Sequence, residues 1–438
     1  MQAALRRRIV FFLPRSVLLW TALQAGHLKY LVSADPWPAR DTLIAGKSRM
    51  DVPAVKRFHG LDLLRGLAAM TVIFWHWVHF FFEGTQYGGQ PKQIFPLYQV
   101  LFPFYEKGFK AVDLFFTISG FVFFFMYRDM IRGGKITASQ FFVLRFSRLY
   151  PLHLLSLMLV IALQHGYESI HLSSFVYRFN DLKHFILSLL LLQSWGVESG
   201  ESFNGPSWSV SVEAFLYCVF FVFALRVRAG FIGTWLIALC FFVGVDALYH
   251  PFARGLGSFF FGGAAFLAYE YIAGHACRDA VERGLAWMAP LLWMVTFLLM
   301  GFSFGAFGDW SSQVHPPWIQ KAASFLSKVW PNMVLFPVTI LSMALSENRL
   351  KAYFSKGSYL GDISYSIYLL HFPLQIIFVL VFSGLGFGQE VFTSAYMLLL
   401  FILLLIVVAG FSFRYFERPA QELIRRTSRN LFGHGRAI

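Results

Sequence analysis

Ten long apolar runs succeed one another along the chain, at roughly 61 to 82, 109 to 127, 149 to 165, 208 to 226, 231 to 249, 254 to 273, 285 to 303, 330 to 346, 359 to 382 and 392 to 414. A helix needs about 20 mostly apolar residues to cross the hydrocarbon core of a bilayer, and each run approaches or meets that length. An eleventh run, Phe185 to Trp195, is too short to cross. It reads as a re-entrant or interfacial helix on the outer side, buried against protein where its backbone ends are satisfied.

The residues between the runs give the direction of threading. Lys56 and Arg57 precede the first run, and Arg128, Arg132, Lys135, Arg145 and Arg148 follow the second. Arg226 and Arg228 follow the fourth, Arg278 and Arg283 the sixth, Arg349, Lys351 and Lys356 the eighth, and Arg414, Arg418, Arg425 and Arg426 the tenth. Every second connection is basic, which by the positive-inside rule places both termini in the cytoplasm. The pattern predicts an all-α polytopic membrane protein of about ten transmembrane helices plus the short re-entrant or interfacial helix, N-in and C-in. If the eleventh run crossed, everything after it would invert and the alternation would lose its explanation.

Residues 1–56 open with Arg6, Arg7 and Arg8 and an apolar segment, Ile9 to Trp20, broken by Pro14 and Arg15. Without a small-residue cleavage site, this reads as a basic interfacial or poorly ordered extension and linker rather than a signal peptide. One membrane domain over 57–422 and a basic cytoplasmic tail over 423–438 complete the organisation, with no internal repeat. Hydrophobic residues make up 57% of the chain and charged ones 14%, with a mean hydropathy of +0.58, which excludes a soluble domain of this length. The net charge of +14 sits in the short connections, so it reports topology and not a nucleic-acid surface. Cys218, Cys240 and Cys277 have no paired spacing, and neither a disulfide framework nor a zinc site is expected.

Several runs carry polar groups that a bilayer core disfavours and that tend to mark pathways or reaction sites. The first contains Asp62, Arg65, His76 and His79. Arg65 and His76 are eleven positions apart, which on an α-helix is about 16 Å of rise and a net rotation of roughly 20°, so both project from one face. With Arg65 at a membrane surface, His76 lies near the midplane. The structural reading pairs a snorkelling Arg65 with Asp62 and gives His76 one hydrogen bond to a neighbouring helix. The functional reading makes the pair a reaction site.

In the second run Asp113, Thr117 and Gly120 repeat at helical spacing, a small polar stripe suited to close helix contact, in which the charge of Asp113 needs a partner. Arg145 and Arg148, just before Tyr150 and Pro151, share a helix face at the inner edge. They serve topology, or they bind phosphate or carboxylate through their planar forks. On the outer side Asn204, Gly205 and Pro206 form a turn, Trp208 anchors a helix start and Ser211 follows. Glu213 lies too deep to be a cap. It orients a histidine, binds a hydroxyl or holds an arginine, or else forms a buried pair that fixes helix register. Ser364, Tyr368 and His371 fall on one face of the ninth run, with Pro373 bending the helix beyond them. There is no Walker loop, dinucleotide-binding glycine fingerprint or His-Glu-x-x-His sequence, and His76 and His79 lack a third ligand, so no metal site is expected.

In this order the stretches resemble the membrane-bound acyltransferase 3 family, whose members O-acylate sugars and glycoconjugates. The resemblance is carried by Arg65 and His76 with ten residues between them, Val112 to Phe121, Arg145, Arg148, Tyr150 and Pro151, Trp208 to Glu213, Ile363 to His371, and Phe416 to Pro419. It covers about residues 57 to 422. Ala111 stands where a glycine is often found and Val210 replaces the usual leucine, changes that touch local packing and remove no polar group. Because the chain ends soon after the tenth run, the esterase-like domain fused to some relatives is not expected.

The resemblance implies a multi-pass protein of the bacterial cytoplasmic (inner) membrane. It would move an acyl group, commonly acetyl, from cytoplasmic acyl-CoA to a hydroxyl of an envelope or secreted glycan. Acyl-CoA (acetyl-CoA) would be the donor substrate, with no permanently bound cofactor, and the partners would be a glycan or glycolipid acceptor and the lipid bilayer. His76 would be the general base, or would carry the acyl group in a covalent relay. Arg65 would hold the donor or the developing oxyanion, Arg145 and Arg148 the donor's phosphates, and Glu213 and His371 would orient the imidazole or the acceptor. Asp113, Trp208, Ser211 and Tyr368 would complete the substrate-binding set. The account requires Arg65 and His76 to look into a common cavity. The alternative from another class is a secondary transporter or exporter of a glycan or small metabolite, against which stands the lack of an inverted repeat.

Overall fold

The computed structural model describes residues 57–244, 250–303 and 329–431. The readings of residues 1–56, of the end of the fifth run (245–249) and of the last tail residues (432–438) lie outside the described residues. Among the described residues eight helices are long and apolar enough to cross a membrane: His59–Phe81, Lys110–Arg132, Ala138–His171, Gly205–Arg226, Pro251–Ala273, Arg278–Gly301, Ser364–Gly384 and Ala395–Ser428. Two shorter apolar helices, Phe231–Gly244 and Pro331–Leu345, complete the ten predicted runs. The protein is an all-α, multi-pass membrane protein.

In chain order, α1 (His59–His76) continues into a 3-10 turn, Trp77–Phe81, and a small antiparallel hairpin of β1 (Phe82–Glu83) and β2 (Gln86–Tyr87). Then come α2 (Tyr98–Lys107), α3 (Lys110–Arg132), α4 (Ala138–His171), α5 (Leu182–Leu189), α6 (Trp208–Arg226), α7 (Phe231–Gly244) and α8 (His250–Ala273). The rest are α9 (Arg278–Ser303), α10 (Phe336–Leu345), α11 (Glu347–Asp362), α12 (Ser364–Gly384), α13 (Ala395–Ser412) and α14 (Arg418–Leu431). The short eleventh run contains α5, 8 residues long, too short to cross a bilayer.

The ninth run was expected to begin near residue 359, but the backbone breaks at Ile363 and the preceding residues form α11. This helix is polar on average and packs along α1, where a Cβ on Gly66 would run into Leu360 and one on Gly361 into the backbone of Asp62. Arg57 bridges the two helices, donating to Asp62 at 2.7 Å and to Asp362 at 2.8 Å. Glu347, at the other end of α11, accepts the backbone N–H of Gly60 at 3.0 Å, so an anion sits at the N-terminus of α1, where the helix dipole favours one.

The basic connections meet one another. Arg132 at the end of α3 donates to the carbonyl of Val227 beyond α6, Arg128 pairs with Glu270 near the end of α8, and Arg425 of α14 donates to Ser147 near the start of α4. Arg349 of α11 pairs with Glu282 near the start of α9. The helix ends that carry the alternating charge thus lie beside one another, as a common membrane face requires.

The stripe of small residues on α3 faces α8. Cβ atoms added at Gly120 and Gly262 would collide with the carbonyl oxygens of Phe259 and Thr117, so the two backbones touch without intervening side chains. Gly262→Val is accordingly expected to destabilise the protein by about 1–3 kcal/mol or more through overpacking. Thermal unfolding in detergent reads the effect, and an unchanged midpoint would show that these helices part freely.

Candidate functional site

A small cleft of about 60 Å³ lies among α1, α3, α4, α6 and α12, with Arg65, Arg148, Ser209, Glu213, Ser364 and Tyr368 as its main polar lining. The start of α4 is fixed by a capping box in which Thr137 and Gln140 satisfy each other's backbone N–H groups. Two turns further on, Arg148 enters the cleft. Arg65 is only loosely associated with Asp62, at 3.9 Å, because Asp62 is engaged by Arg57. Among the described residues the guanidiniums of Arg65 and Arg148 face the cleft with no carboxylate closer than that 3.9 Å contact, and Glu213 shares the cleft with them.

The second constellation sits further along α1. His76 Nδ1 is 3.1 Å from His371 Nε2, and the two rings stack with centroids 4.9 Å apart. His371 Nδ1 lies 2.6 Å from the carbonyl oxygen of Tyr368, an acceptor only, so Nδ1 carries the proton and Nε2 is an acceptor. His76 then donates from Nδ1, which leaves its Nε2 with a free lone pair. Gln375, one turn beyond His371, donates to the backbone oxygen of His76 at 2.8 Å, and its Oε1 lies 3.0 Å from His79 Nδ1. Tyr177 donates its hydroxyl to His79 Nε2 at 3.3 Å, and burial pushes that phenol well above its ordinary pKa, so it remains a donor. Among the described residues no three His, Cys, Asp or Glu side chains are grouped to hold a metal ion.

The predicted residues thus divide. Arg65, Arg148, Glu213 and Tyr368 line the cleft, while His76 and His371 meet beyond it. Among the described residues the cleft that Arg65 lines does not include His76: its lining reaches Tyr368, whose hydroxyl donates to the carbonyl of Pro206 and accepts from Ser209 at 2.8 Å. Glu213 does not orient a histidine. It accepts the hydroxyl of Tyr217 at 2.7 Å and shares the cleft with the two arginines.

Four further predicted residues are engaged within the protein. Arg145 leaves the cleft to its neighbour and is enclosed by aromatic rings, 4.7 Å over Phe123 and 4.4 Å over Tyr127, to whose hydroxyl it is bonded. Asp113, fully buried, is taken up by Arg254 at 2.8 Å, Lys110 at 3.1 Å and Asn332 at 3.2 Å, and serves as an internal counter-charge. Ser211 donates to the carbonyl of Leu191 and accepts the N–H of Ser194, tying the segment after α5 to α6. Trp208 stacks with Arg254 at 5.1 Å. Sequence reasoning missed Arg254, Gln375 and Tyr177. An arginine at the head of an apolar run was the available signal for the first, and Gln375, a lone amide one turn past His371, for the second.

The family model described as an acyltransferase domain, that of the acyltransferase 3 family, matches residues 58–413. The chain is 36% identical over 107 residues to Protein 2 in picA locus of Rhizobium radiobacter, which is 24% of this chain and 46% of that protein. It is 32% identical over 173 residues to Acyltransferase MdmB of Streptomyces mycarofaciens, 38% of this chain and 39% of that protein. The aligned stretches thus span less than half of either relative. No solved structure matches. With a match that runs from the start of α1 to the end of α13 and takes in both the cleft and the paired histidines, the chain belongs to the acyltransferase 3 family.

Proposed function

We propose that this protein is an integral-membrane O-acyltransferase of the bacterial cytoplasmic membrane, moving an acyl group, acetyl in the first instance, from acyl-CoA to a hydroxyl of a glycan or glycolipid. The observation that carries the reading is the chain Tyr368 carbonyl, His371, His76, which leaves His76 Nε2 unprotonated at the end of α1. A sugar hydroxyl is too weak an acid to attack a thioester unaided, and an imidazole titrates close to working pH, so His76 Nε2 takes the hydroxyl proton as the oxygen attacks. The new C–O bond forms, the C–S bond of the tetrahedral intermediate breaks, and the imidazolium returns its proton to the departing thiolate. His371 acts as a positioning residue.

Arg65 lies about 16 Å along the helix from His76, too far to touch the developing oxyanion. Its place beside Arg148 assigns it instead to the donor, whose pantetheine arm would run past Tyr368 toward the histidines. Purified protein given acetyl-CoA and a glycan acceptor is expected to release free thiol and to add an acetyl mass to the acceptor. Movement of the acceptor across sealed vesicles with no change in mass would support the transporter instead. His371→Asn is expected to reduce kcat about 10-fold or more, within the 10²–10⁴ a general base supplies, with KM for the donor little changed and the pH profile displaced. An unaltered profile would remove the positioning role.

A further inference from the structure

Two buried side chains beside the paired histidines take no part in the proton transfer described above. Gln375 is fully buried on α12, one turn beyond His371, and Tyr177 is buried in the segment between α4 and α5. The backbone that presents Tyr177 is strained: Val176 has φ +63°, a left-handed conformation that a β-branched residue rarely adopts. The strain is clamped in place. Phe175 donates to Gln164 Oε1 at 2.9 Å and accepts from its Nε2 at 2.8 Å, and Val176 donates to the carbonyl of Gly84 at 2.9 Å. Gly205 leaves room for the Tyr177 ring, since a Cβ there would collide with it. Strain held by so many contacts points to a task for the residue it presents.

The hydrogen bonds that start at Tyr177 take their direction from the far end of the chain. The carbonyl oxygen of His76 is an acceptor only, so Gln375 turns its NH2 to it, at 2.8 Å, and its Oε1 to His79 Nδ1, at 3.0 Å. An amide oxygen donates nothing, so the His79 proton lies on Nδ1. In the neutral imidazole Nε2 is then the acceptor for the Tyr177 hydroxyl at 3.3 Å. A phenol accepts as well as donates, so Gln375 is the member that fixes the direction. His371 and Gln375 thus grip His76 from one face of α12: His371 accepts from its ring, and Gln375 donates to its main chain where α1 gives way to a 3-10 turn. A continuing α-helix would have supplied that oxygen with the N–H of Phe80.

We propose that Gln375 is a positioning residue for acyl transfer, holding His76 so that its free Nε2 meets the attacking hydroxyl, with His79 and Tyr177 as the strut that keeps the amide from turning. The inference rests on the acyltransferase reading and deepens it by giving His76 a second, main-chain support beside His371. Without Gln375 the imidazole keeps one anchor on α12 and is free to swing away from the reacting oxygen, a displacement to which an oriented proton transfer is sensitive.

Nitrogen NMR of the full-length protein, labelled at histidine and held in detergent, reads the proton position on His79, whose signals are assigned by their loss in His79→Gln. Wild type is expected to show Nδ1 protonated and Nε2 bare, the reverse of the form that free histidine side chains favour. Gln375→Met keeps the length of the side chain and removes both hydrogen bonds. In it the proton is expected to move to Nε2, where Tyr177 accepts it, and kcat to fall about 10-fold or more with KM for acetyl-CoA little changed. Tyr177→Phe is the milder change. It is expected to keep the proton on Nδ1, shift the Nε2 resonance and lower kcat about 2-fold or more. A wild-type His79 protonated on Nε2 overturns the proposal, as does Gln375→Met with wild-type kcat. If Gln375→Met does not accumulate, Tyr177→Phe decides, and an unchanged kcat with an unchanged Nε2 resonance overturns the proposal. Because the tautomer is read without turnover, a wild type with Nδ1 protonated that transfers no acyl group would sink the acyltransferase reading alone.

Discussion

His76→Gln is expected to lower acyl transfer by about 10²–10⁴-fold while the protein still accumulates in the membrane as a monodisperse species. The substitution keeps approximate size and a hydrogen-bonding group but removes the one atom, Nε2, that the Tyr368, His371, His76 chain leaves as a proton acceptor. Donor binding should survive, because Arg65 and Arg148 face a cleft whose lining does not include His76. The discriminating measurement is therefore kcat against KM for acetyl-CoA, with kcat carrying the loss. A His76→Gln enzyme that acylates at wild-type rate would show that the base lies elsewhere. One that loses donor affinity and keeps kcat would make His76 a binding group.

Asp113→Ala is expected to be the most damaging single change to stability. Its carboxylate is fully buried between Arg254 and Lys110, and removing one partner from a buried ion pair costs about 3–5 kcal/mol, because the remaining charge is stranded in a medium of low dielectric. Lys110 is able to reach outward along its own stem, but Arg254 is held against Trp208 and Phe109. Replacing both members, Asp113→Leu with Arg254→Leu, should recover much of the loss, since no uncompensated charge remains. Thermal unfolding in detergent and yield from the membrane fraction check both. A double variant no better than the single one would disprove the internal-pair account. A stable Asp113→Ala protein with a raised KM would return Asp113 to the substrate.

Periodicity and charge made the membrane architecture readable in advance. Runs of apolar residues near the thickness of a bilayer gave the ten helices, because a span is set by length and composition within one segment. The alternation of Arg and Lys grouped the helix ends that the structure brings together, as in Arg57 with Asp362 and Arg132 with Val227. The small residues of α3 announced a close approach. The boundary between α11 and α12 was hidden because a polar helix running directly into an apolar one leaves no break in the helical pattern.

Within the site, the sequence named residues well and partners poorly. It identified His76 and His371 as polar groups on helix faces, but their contact joins positions 295 residues apart. Arg254 meets Asp113 across 141 residues and Asn332 meets it across 219. Nothing in either segment shows the other, so the sequence called for a partner to Asp113 without naming it, and left Glu213 open to a histidine, a hydroxyl or an arginine.

What the sequence determined by itself was which stretches enter the lipid, which ends share a side and which faces carry charge, since each follows from the solvation of a residue and its near neighbours along one helix. Only the tertiary structure decided which charge answers which, that the lining of the arginine cleft reaches Tyr368 without taking in the histidines, and that Arg425 meets Ser147. These depend on how helices distant in the chain are packed, and a periodic pattern fixes the facing side of a helix without fixing what it faces.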